Sequence, residues 1–174
     1  MTNRKKTFAN IEENFYQILD VPKTASLSDI RQAYEEKLEE AHLEAFAAYS
    51  LLPEEESEEK LLQFSHAYIT LANPIARAKY DDELMVSELL FAAAANDITR
   101  IRQLIAKGIP VHAGNFDSRT ALHLAAAEGN LETVKLLINY NHPLNVRDRW
   151  KSTPLDEAKR EKRKSVINYL KNFK

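Results

Sequence analysis

The chain has 174 residues, with 24 Lys/Arg against 26 Asp/Glu for a formal net charge of −2 at pH 7, five His, three Gly and no Cys. The lack of Cys excludes a disulfide framework and a cysteine-based zinc site or nucleophile, and Gly at 108, 114 and 129 alone leaves no phosphate-cradling loop, dinucleotide fingerprint or nucleophile elbow. The His at 42, 66, 112, 123 and 142 do not pair at metal-ligand spacing on one helix, so composition predicts no enzyme, no cofactor and no metal site.

In chain order, Thr2-Asn3-Arg4-Lys5-Lys6 is basic but is not followed by an apolar stretch, which reads as a ragged terminus rather than a signal peptide. No segment approaches the length of a membrane span, and a cytoplasmic protein is expected. Asn14 to Val21 is a short apolar run. Ser26 or Ser28, standing before Asp29-Ile30-Arg31, caps a helix start. Apolar residues then recur at Ile30, Tyr34, Leu38, Ala41, Ala45, Ala48 and Leu52, and no Gly or Pro intervenes before Pro53; the spacing predicts one helix of about six turns. Glu54-Glu55-Glu56-Ser57-Glu58-Glu59 is an acidic connector or the start of the next helix, where carboxylates suit the helix dipole. Leu61, Leu62, Phe64, Ala67, Tyr68 and Leu71 mark that second amphipathic helix. Asn73-Pro74 ends it and opens another, with Asn as cap and Pro in the first turn.

Phe15-Tyr16-Gln17-Ile18-Leu19-Asp20-Val21-Pro22, then Ser28-Asp29-Ile30-Arg31-Gln32-Ala33-Tyr34, then Phe64 to Leu71 closing on Asn73-Pro74 and Arg77-Ala78-Lys79-Tyr80-Asp81, is similar to a J-domain. That resemblance implies a helical domain that stimulates ATP hydrolysis by seventy-kilodalton heat-shock chaperones through a His-Pro-Asp tripeptide after its second helix. Here His42-Leu43-Glu44 stands in its place: the His and an acid are kept, and the helix-breaking Pro is replaced by a good helix former. The family's second helix is generally basic, whereas Tyr34-Glu35-Glu36-Lys37-Leu38-Glu39-Glu40 is acidic and would repel the chaperone's acidic face. The helix is therefore expected to run past His42 towards Leu52, and the domain to serve a contact other than chaperone stimulation.

Tyr80 to Leu90 contains no Gly or Pro and carries Leu84, Met85, Leu89 and Leu90, a pattern that predicts no flexible linker and places Leu84 and Met85 against the element that follows. Charge is divided unequally across this point. Residues 1–86 hold nine Lys/Arg against seventeen Asp/Glu, or −8, and residues 87–174 hold fifteen against nine, or +6.

Beyond the junction the chain repeats itself every 33 residues. Ser87-Glu88-Leu89-Leu90-Phe91-Ala92-Ala93-Ala94, Thr120-Ala121-Leu122-His123-Leu124-Ala125-Ala126-Ala127 and Thr153-Pro154-Leu155-Asp156-Glu157-Ala158 occupy equivalent positions, and Asn115 and Asp148 each stand five residues before their Thr. Thr120 and Thr153 are predicted helix caps, Pro154 suits a first turn, and Gly129 permits the positive φ of a tight inter-helix turn. Leu131, Val134, Leu137 and Ile138 share one helical face that points inward. Asp117 to Asn145 resembles an ankyrin repeat, and its pairing with Asp148-Arg149-Trp150 and Thr153 to Ala158 looks like the short ankyrin tail of glutaminases, without any glutaminase catalytic domain. The resemblance implies stacked helix pairs that bind proteins, with His123 tying neighbouring turns by hydrogen bonds rather than serving as a ligand.

The expected architecture is all-α: a J-like helical domain over 10–85, then an ankyrin stack over 87–174 with repeats about 87–119, 120–152 and 153–174, the last truncated. Candidate partner contacts lie in the loops before each first helix, at Asn115, Phe116, Asp117 and Arg119 and at Arg147, Arg149, Trp150 and Lys151. Trp150 and Arg149 are the anchor candidates, although the Trp150 ring also suits packing on the preceding repeat. The cluster Lys159-Arg160-Glu161-Lys162-Arg163-Lys164 fits an acidic protein surface, phosphoinositide head groups or nucleic acid. A solvated cap is its plainer reading, and the absence of interleaved aromatics argues against nucleic acid. The function read from this is an adaptor whose repeats bind a protein partner. Two alternatives are a co-chaperone of a seventy-kilodalton heat-shock chaperone, with His42 and Glu44 as working residues and the repeats choosing the client, and a secreted bacterial effector, whose repertoire such ankyrin proteins resemble.

Overall fold

The computed structural model describes residues 14–47 and 54–173, with the side chains of residues 44–47 and 54–57 outside the description. The basic start at residues 2–6, the side chain of Ala45, and Ala48 and Leu52 therefore lie outside the described residues. Nine helices are described: α1 (Phe15–Ile18), α2 (Leu27–Ala47), α3 (Glu54–Ala72), α4 (Pro74–Ala94), α5 (Ile98–Ala106), α6 (Ala121–Glu128), α7 (Leu131–Asn139), α8 (Pro154–Arg160) and α9 (Lys164–Asn172). Among the described residues the one β-type pairing is an isolated bridge between Gly114 and Thr120, so the fold is all-α. The chain divides between Tyr80 and Asp81 into two compact units, a division that falls within α4.

In the first unit the caps anticipated from sequence form. Ser26 and Asp29 make a reciprocal box, Asp29 N–H donating to Ser26 Oγ at 3.2 Å and Ser26 N–H to Asp29 Oδ2 at 2.8 Å, which starts α2 and holds the Asp29 carboxyl below its ordinary pKa. Helix α2 lies against α3, where the Tyr34 and Tyr68 rings stack with centroids 4.4 Å apart, and α1 also packs on α3. Leu19, Ile30, Ala67 and Leu71 are buried between them. Leu62, counted above among the apolar face of α3, is instead exposed. The acidic run is the start of α3 rather than a connector.

The Arg77-to-Tyr80 sequence is a structural staple. Arg77 donates from Nη1 to the Ala25 carbonyl at 2.9 Å, from Nη2 to the Lys23 carbonyl at 2.7 Å and from Nε to Tyr16 Oη at 3.0 Å, so one guanidinium satisfies three groups of the α1–α2 segment. Tyr80 stacks on Phe15 at 4.5 Å and accepts its backbone N–H at 2.8 Å.

The second unit is built from helix pairs: the end of α4 with α5, α6 with α7, and α8 with α9. Helix α6 packs on α7 and α8, α8 on α9, and α7 on both α5 and α9. Leu89, Ala93, Ile101, Leu122, Leu137 and Val166 are among its fully buried residues, and Met85 and Val86 pack against the same core. The 33-residue period is written in the backbone. Left-handed φ values occur at Asn96, Gly129 and Lys162, at Gly108 and Asn141, and at Ser118 and Lys151, each set spaced by one repeat.

The residue after the first of these sets starts each second helix: Asp97 for α5, Asn130 for α7 and Arg163 for α9. Asn130 reaches back to donate from Nδ2 to the Ala93 and Ala94 carbonyls at 3.0 and 2.8 Å, and Arg163 donates from Nε to the Ala127 carbonyl at 2.8 Å. Each closes the end of the preceding repeat's first helix, where backbone acceptors have no partner within the helix. His123 works at the other end. Its Nδ1 meets Thr120 N and Oγ1 at 3.2 and 2.9 Å, and Nε2 lies 3.1 Å from the Ser152 carbonyl of the next repeat. Burial pushes its pKa down, which matches a neutral ring donating from Nε2.

Gly129 is the tightest of the left-handed positions: φ is +85° and a Cβ there would lie 2.9 Å from Arg163 Cδ, whereas a Cβ on Gly108, at φ +93°, would meet nothing within 4 Å. Gly129→Ala is expected to lower the stability of the repeats by about 2 kcal/mol and Gly108→Ala by about 1 kcal/mol. Urea unfolding followed by Trp150 emission checks both, because Trp150 is the chain's single Trp and sits in this unit.

His142 occupies the place that Ile109 holds one repeat earlier, fully enclosed, its Nδ1 2.8 Å from the Pro143 carbonyl and its Nε2 without a partner among the described residues. Burial depresses its pKa from 6.5 to about 4. The folded ring then stays neutral while the unfolded chain takes a proton, so stability is intact above pH 6.5 and falls as pH drops towards 4, by about 3 kcal/mol in all. His142→Ile should flatten the urea-unfolding profile between pH 6.5 and 4.5; an unchanged slope would assign the acid sensitivity to carboxylates.

Candidate functional site

Two places carried functional expectation, and each lies within one unit. In the first unit, α2 is helical through His42-Leu43-Glu44 and onward to Ala47, so the chain does not break where Pro is missing. His42 and Leu43 are exposed, Leu43 to 64 %, while the Glu44 side chain lies outside the described residues. Glu35, Glu36, Glu39 and Glu40 are exposed on the same helix, where Lys37 forms an ion pair to Glu40 at 3.0 Å. The accessible side of α2 is acidic.

In the second unit the candidate residues form two hairpin loops of one design. Asn115 Oδ1 accepts the backbone N–H groups of Asp117 and Arg119 at 3.1 and 3.0 Å, and Asp148 Oδ1 accepts those of Trp150 and Ser152 at 3.0 and 2.8 Å. The backbone closes each loop, Asn115 N–H to the Arg119 carbonyl and Asp148 N–H to the Ser152 carbonyl, both at 3.0 Å. The side-chain acceptors explain why an Asx residue stands five places before each Thr. Asn115 and the buried Asp148 are therefore loop anchors.

Arg119 also turns inward. Its Nη2 lies 2.8 Å from Glu157 Oε2, and Arg160 forks onto the same carboxylate, with Nη1 2.6 Å from Oε1 and Nη2 against Oε2. Glu157 is 1 % exposed, so two guanidinium groups neutralise one buried charge. The equivalent positions one and two repeats earlier are Leu124 and Phe91, and a carboxylate in that apolar register was the available signal for this pairing.

What reaches solvent is Phe116, Arg147, Arg149, Trp150 and Lys151. Phe116 is 94 % exposed and Trp150 51 %. Neighbouring loops are tied together by Arg149, whose N–H donates to the Asp117 carbonyl at 2.8 Å and whose Nη1 meets Asp117 Oδ1 at 3.1 Å. Its guanidinium lies 5.8 Å from the Phe116 ring centroid. Arg147 Nη1 donates to the Lys151 carbonyl at 2.7 Å, which stiffens the second loop. Among the candidate contacts the sequence singles out Trp150 and Arg149 as anchors, and Phe116 is the more exposed aromatic of the pair of loops.

The basic cluster at 159–164 is less basic as a surface than as a sequence. Lys159 pairs with Asp156 at 3.2 Å, Arg160 with Glu157 and Glu161, and Arg163 is drawn to the Ala127 carbonyl, leaving Lys162 and Lys164 as its cations without an ion pair among the described residues. Among the described residues no group of three or more His, Cys, Asp or Glu is arranged to hold a metal ion, and no helix is long and apolar enough to cross a membrane.

Residues 14–81 match the DnaJ domain family, and residues 89–173 match the family described as ankyrin repeats in three copies. Among similar proteins, the mitochondrial liver isoform of glutaminase from Mus musculus is 40% identical over 90 residues, 51% of this chain and 15% of that protein. Serine/threonine-protein kinase VIK from Arabidopsis thaliana is 37% identical over 87 residues, 49% of this chain and 20% of the kinase. Potassium channel KOR1 from Oryza sativa subsp. japonica is 36% identical over 88 residues, covering 51% of this chain and 10% of the channel. The chain spans a fifth or less of each of these relatives, and the likeness to the glutaminase and the kinase comes from their ankyrin regions. With the Asx-anchored helix pairs repeating every 33 residues and the stapled helices before them, the chain belongs to the proteins that carry a DnaJ domain followed by ankyrin repeats, both of them interaction modules.

Proposed function

We propose that the protein is a cytoplasmic adaptor whose ankyrin repeats hold a protein partner at the tips of the two hairpin loops. The observation that carries this reading is the pair of exposed aromatic rings, Phe116 and Trp150, on loops whose backbones are fixed by Asn115 and Asp148. Rigid exposed aromatics beside an Arg lose little entropy on binding, and such residues dominate binding hot spots. In this reading the DnaJ domain makes a contact that does not stimulate a chaperone. The unbroken helix across His42-Leu43-Glu44 and the exposed Glu35, Glu36, Glu39 and Glu40 support that, since docking on an acidic chaperone face would bring like charges together. The co-chaperone reading draws support from the DnaJ match, which spans His42 and Glu44.

Capture of partners from lysate with the full chain tests the hairpin tips. Phe116→Ala and the double variant Trp150→Ala/Arg149→Ala are expected to weaken the captured partner by on the order of 2 kcal/mol while the thermal midpoint stays within a degree or two. Loss of stability in parallel with loss of every partner would instead assign Trp150 to packing. Single-turnover ATP hydrolysis by a seventy-kilodalton heat-shock chaperone separates the two readings of the DnaJ domain. No acceleration is expected, from wild type or from His42→Gln; a several-fold stimulation abolished by His42→Gln would establish the co-chaperone.

A further inference from the structure

Resting on the adaptor reading, we infer that the hairpin-tip surface takes an acidic protein segment that carries apolar side chains among its carboxylates. Three exposed cations, Arg147, Arg149 and Lys151, flank the two exposed rings, and Asp117, the carboxylate of these loops that reaches solvent, is already engaged by Arg149. The other acid of the loops, Asp148, is buried and spends Oδ1 on its own turn. In these two loops Arg147, Arg149 and Lys151 outnumber Asp117 and the buried Asp148, so the surface offers an excess of positive charge.

The geometry selects a carboxylate in particular. Arg149 is held in place by Asp117 through Nη1 and by the Phe116 ring beneath it, which leaves its Nη2 and Nε donors oriented before any partner arrives. A planar fork fixed in this way suits a carboxylate, and the ordering of the side chain has been met within the fold. Phe116 and Trp150 meanwhile remain exposed, and each gains from an apolar side chain laid against it. A segment of carboxylates alone would leave the exposed parts of Phe116 and Trp150 uncovered, and an apolar segment alone would bring no acid to Arg147 and Lys151.

Nucleic acid satisfies the same patch less well. Salt-resistant phosphate binding draws on a track of cations longer than these three, and the sequence cluster that could extend it is tied into Asp156, Glu157, Glu161 and the Ala127 carbonyl.

The test uses the full chain and the emission of Trp150, its single Trp, as a reporter located in the site. The probes are short synthetic peptides alternating Glu with Leu or Phe, the same peptides with Gln or with Lys in place of Glu, a polyglutamate and a single-stranded oligothymidylate. Saturable change in emission is expected with the Glu–Leu and Glu–Phe peptides, weakening as salt rises, with affinity at least tenfold lower for the Gln and polyglutamate probes. Arg149→Glu and, separately, Lys151→Glu should each lower affinity on the order of tenfold, with the thermal midpoint unchanged for Lys151→Glu and somewhat lowered for Arg149→Glu, which sets a second carboxylate beside Asp117. Equal binding of the Gln or Lys peptides, no saturable response to the Glu peptides, or tighter binding of the oligonucleotide would each overturn the inference. Its failure is separable from that of the adaptor reading: lysate partners lost in Phe116→Ala but kept in Arg149→Glu leave the adaptor and remove the acidic ligand, whereas partners indifferent to both remove the adaptor.

Discussion

The second unit depends on one recurring hydrogen bond, made by the residues that open α7 and α9, Asn130 and Arg163, to the carbonyls that end the previous repeat's first helix. Those carbonyls have no partner within their own helix, and in a stack they are turned towards protein rather than water, where an unmet acceptor costs roughly 1–3 kcal/mol. Asn130 meets them from a short amide and Arg163 from a long guanidinium. Two chemically unlike side chains thus do the same work at the same place in the repeat, which shows that the acceptor sets the requirement. The left-handed residue just before each of them, Gly129 or Lys162, turns the chain so that the donor can reach back. From that spacing follows the spacing of the hairpins, and from the hairpins the meeting of Arg149 with Asp117 and Phe116.

Much of this was legible in the sequence because it is carried by local rules. Thr153 with Asp156 and Ser26 with Asp29 follow helix-capping chemistry that needs only a three-residue spacing, and the 33-residue period identified equivalent positions without knowledge of their contacts. Gly129 was predicted at positive φ from a turn argument. The same argument did not extend to Asn96 and Lys162, which adopt that conformation without glycine, because nothing local distinguishes a Lys that is forced into it by the stack. Asn115 and Arg119 were read as partner contacts because loops that precede helices are usually exposed. Their roles as anchor and ion-pair member are fixed by groups several or many residues away, the Asp117 and Arg119 amides in one case and Glu157 in the other.

The first unit shows how a family pattern is divided between framework and function. Arg77, Tyr80 and Phe15 form a closed set of stacking and hydrogen bonds that fixes α1 against the start of α4, and the sequence keeps all of it. The departures gather at α2 instead, in Leu43 and in the glutamates of its exposed side. Leu43 adds a helix former where Pro would remove an N–H and clash with the preceding turn, a difference of about 3 kcal/mol in helix preference, so α2 continues by default. The framework is thus kept while the exposed side of α2 departs from the family pattern.

Charge gives the same lesson in a different form. A count of Lys and Arg places the positive end of this chain in residues 159–164, yet most of those cations face a carboxylate or a carbonyl of the stack. Burying Glu157 in a position that holds Leu or Phe in the other repeats demands compensation, and Arg119 and Arg160 are drawn out of the surface to supply it. The hairpin tips keep their cations at the surface, where Arg147 is bonded to a backbone carbonyl and Arg149 to a carboxylate that is itself partly exposed. Accessible positive charge is thus reduced in the segment where the sequence concentrates it and retained on the loops, beside the exposed Phe116 and Trp150.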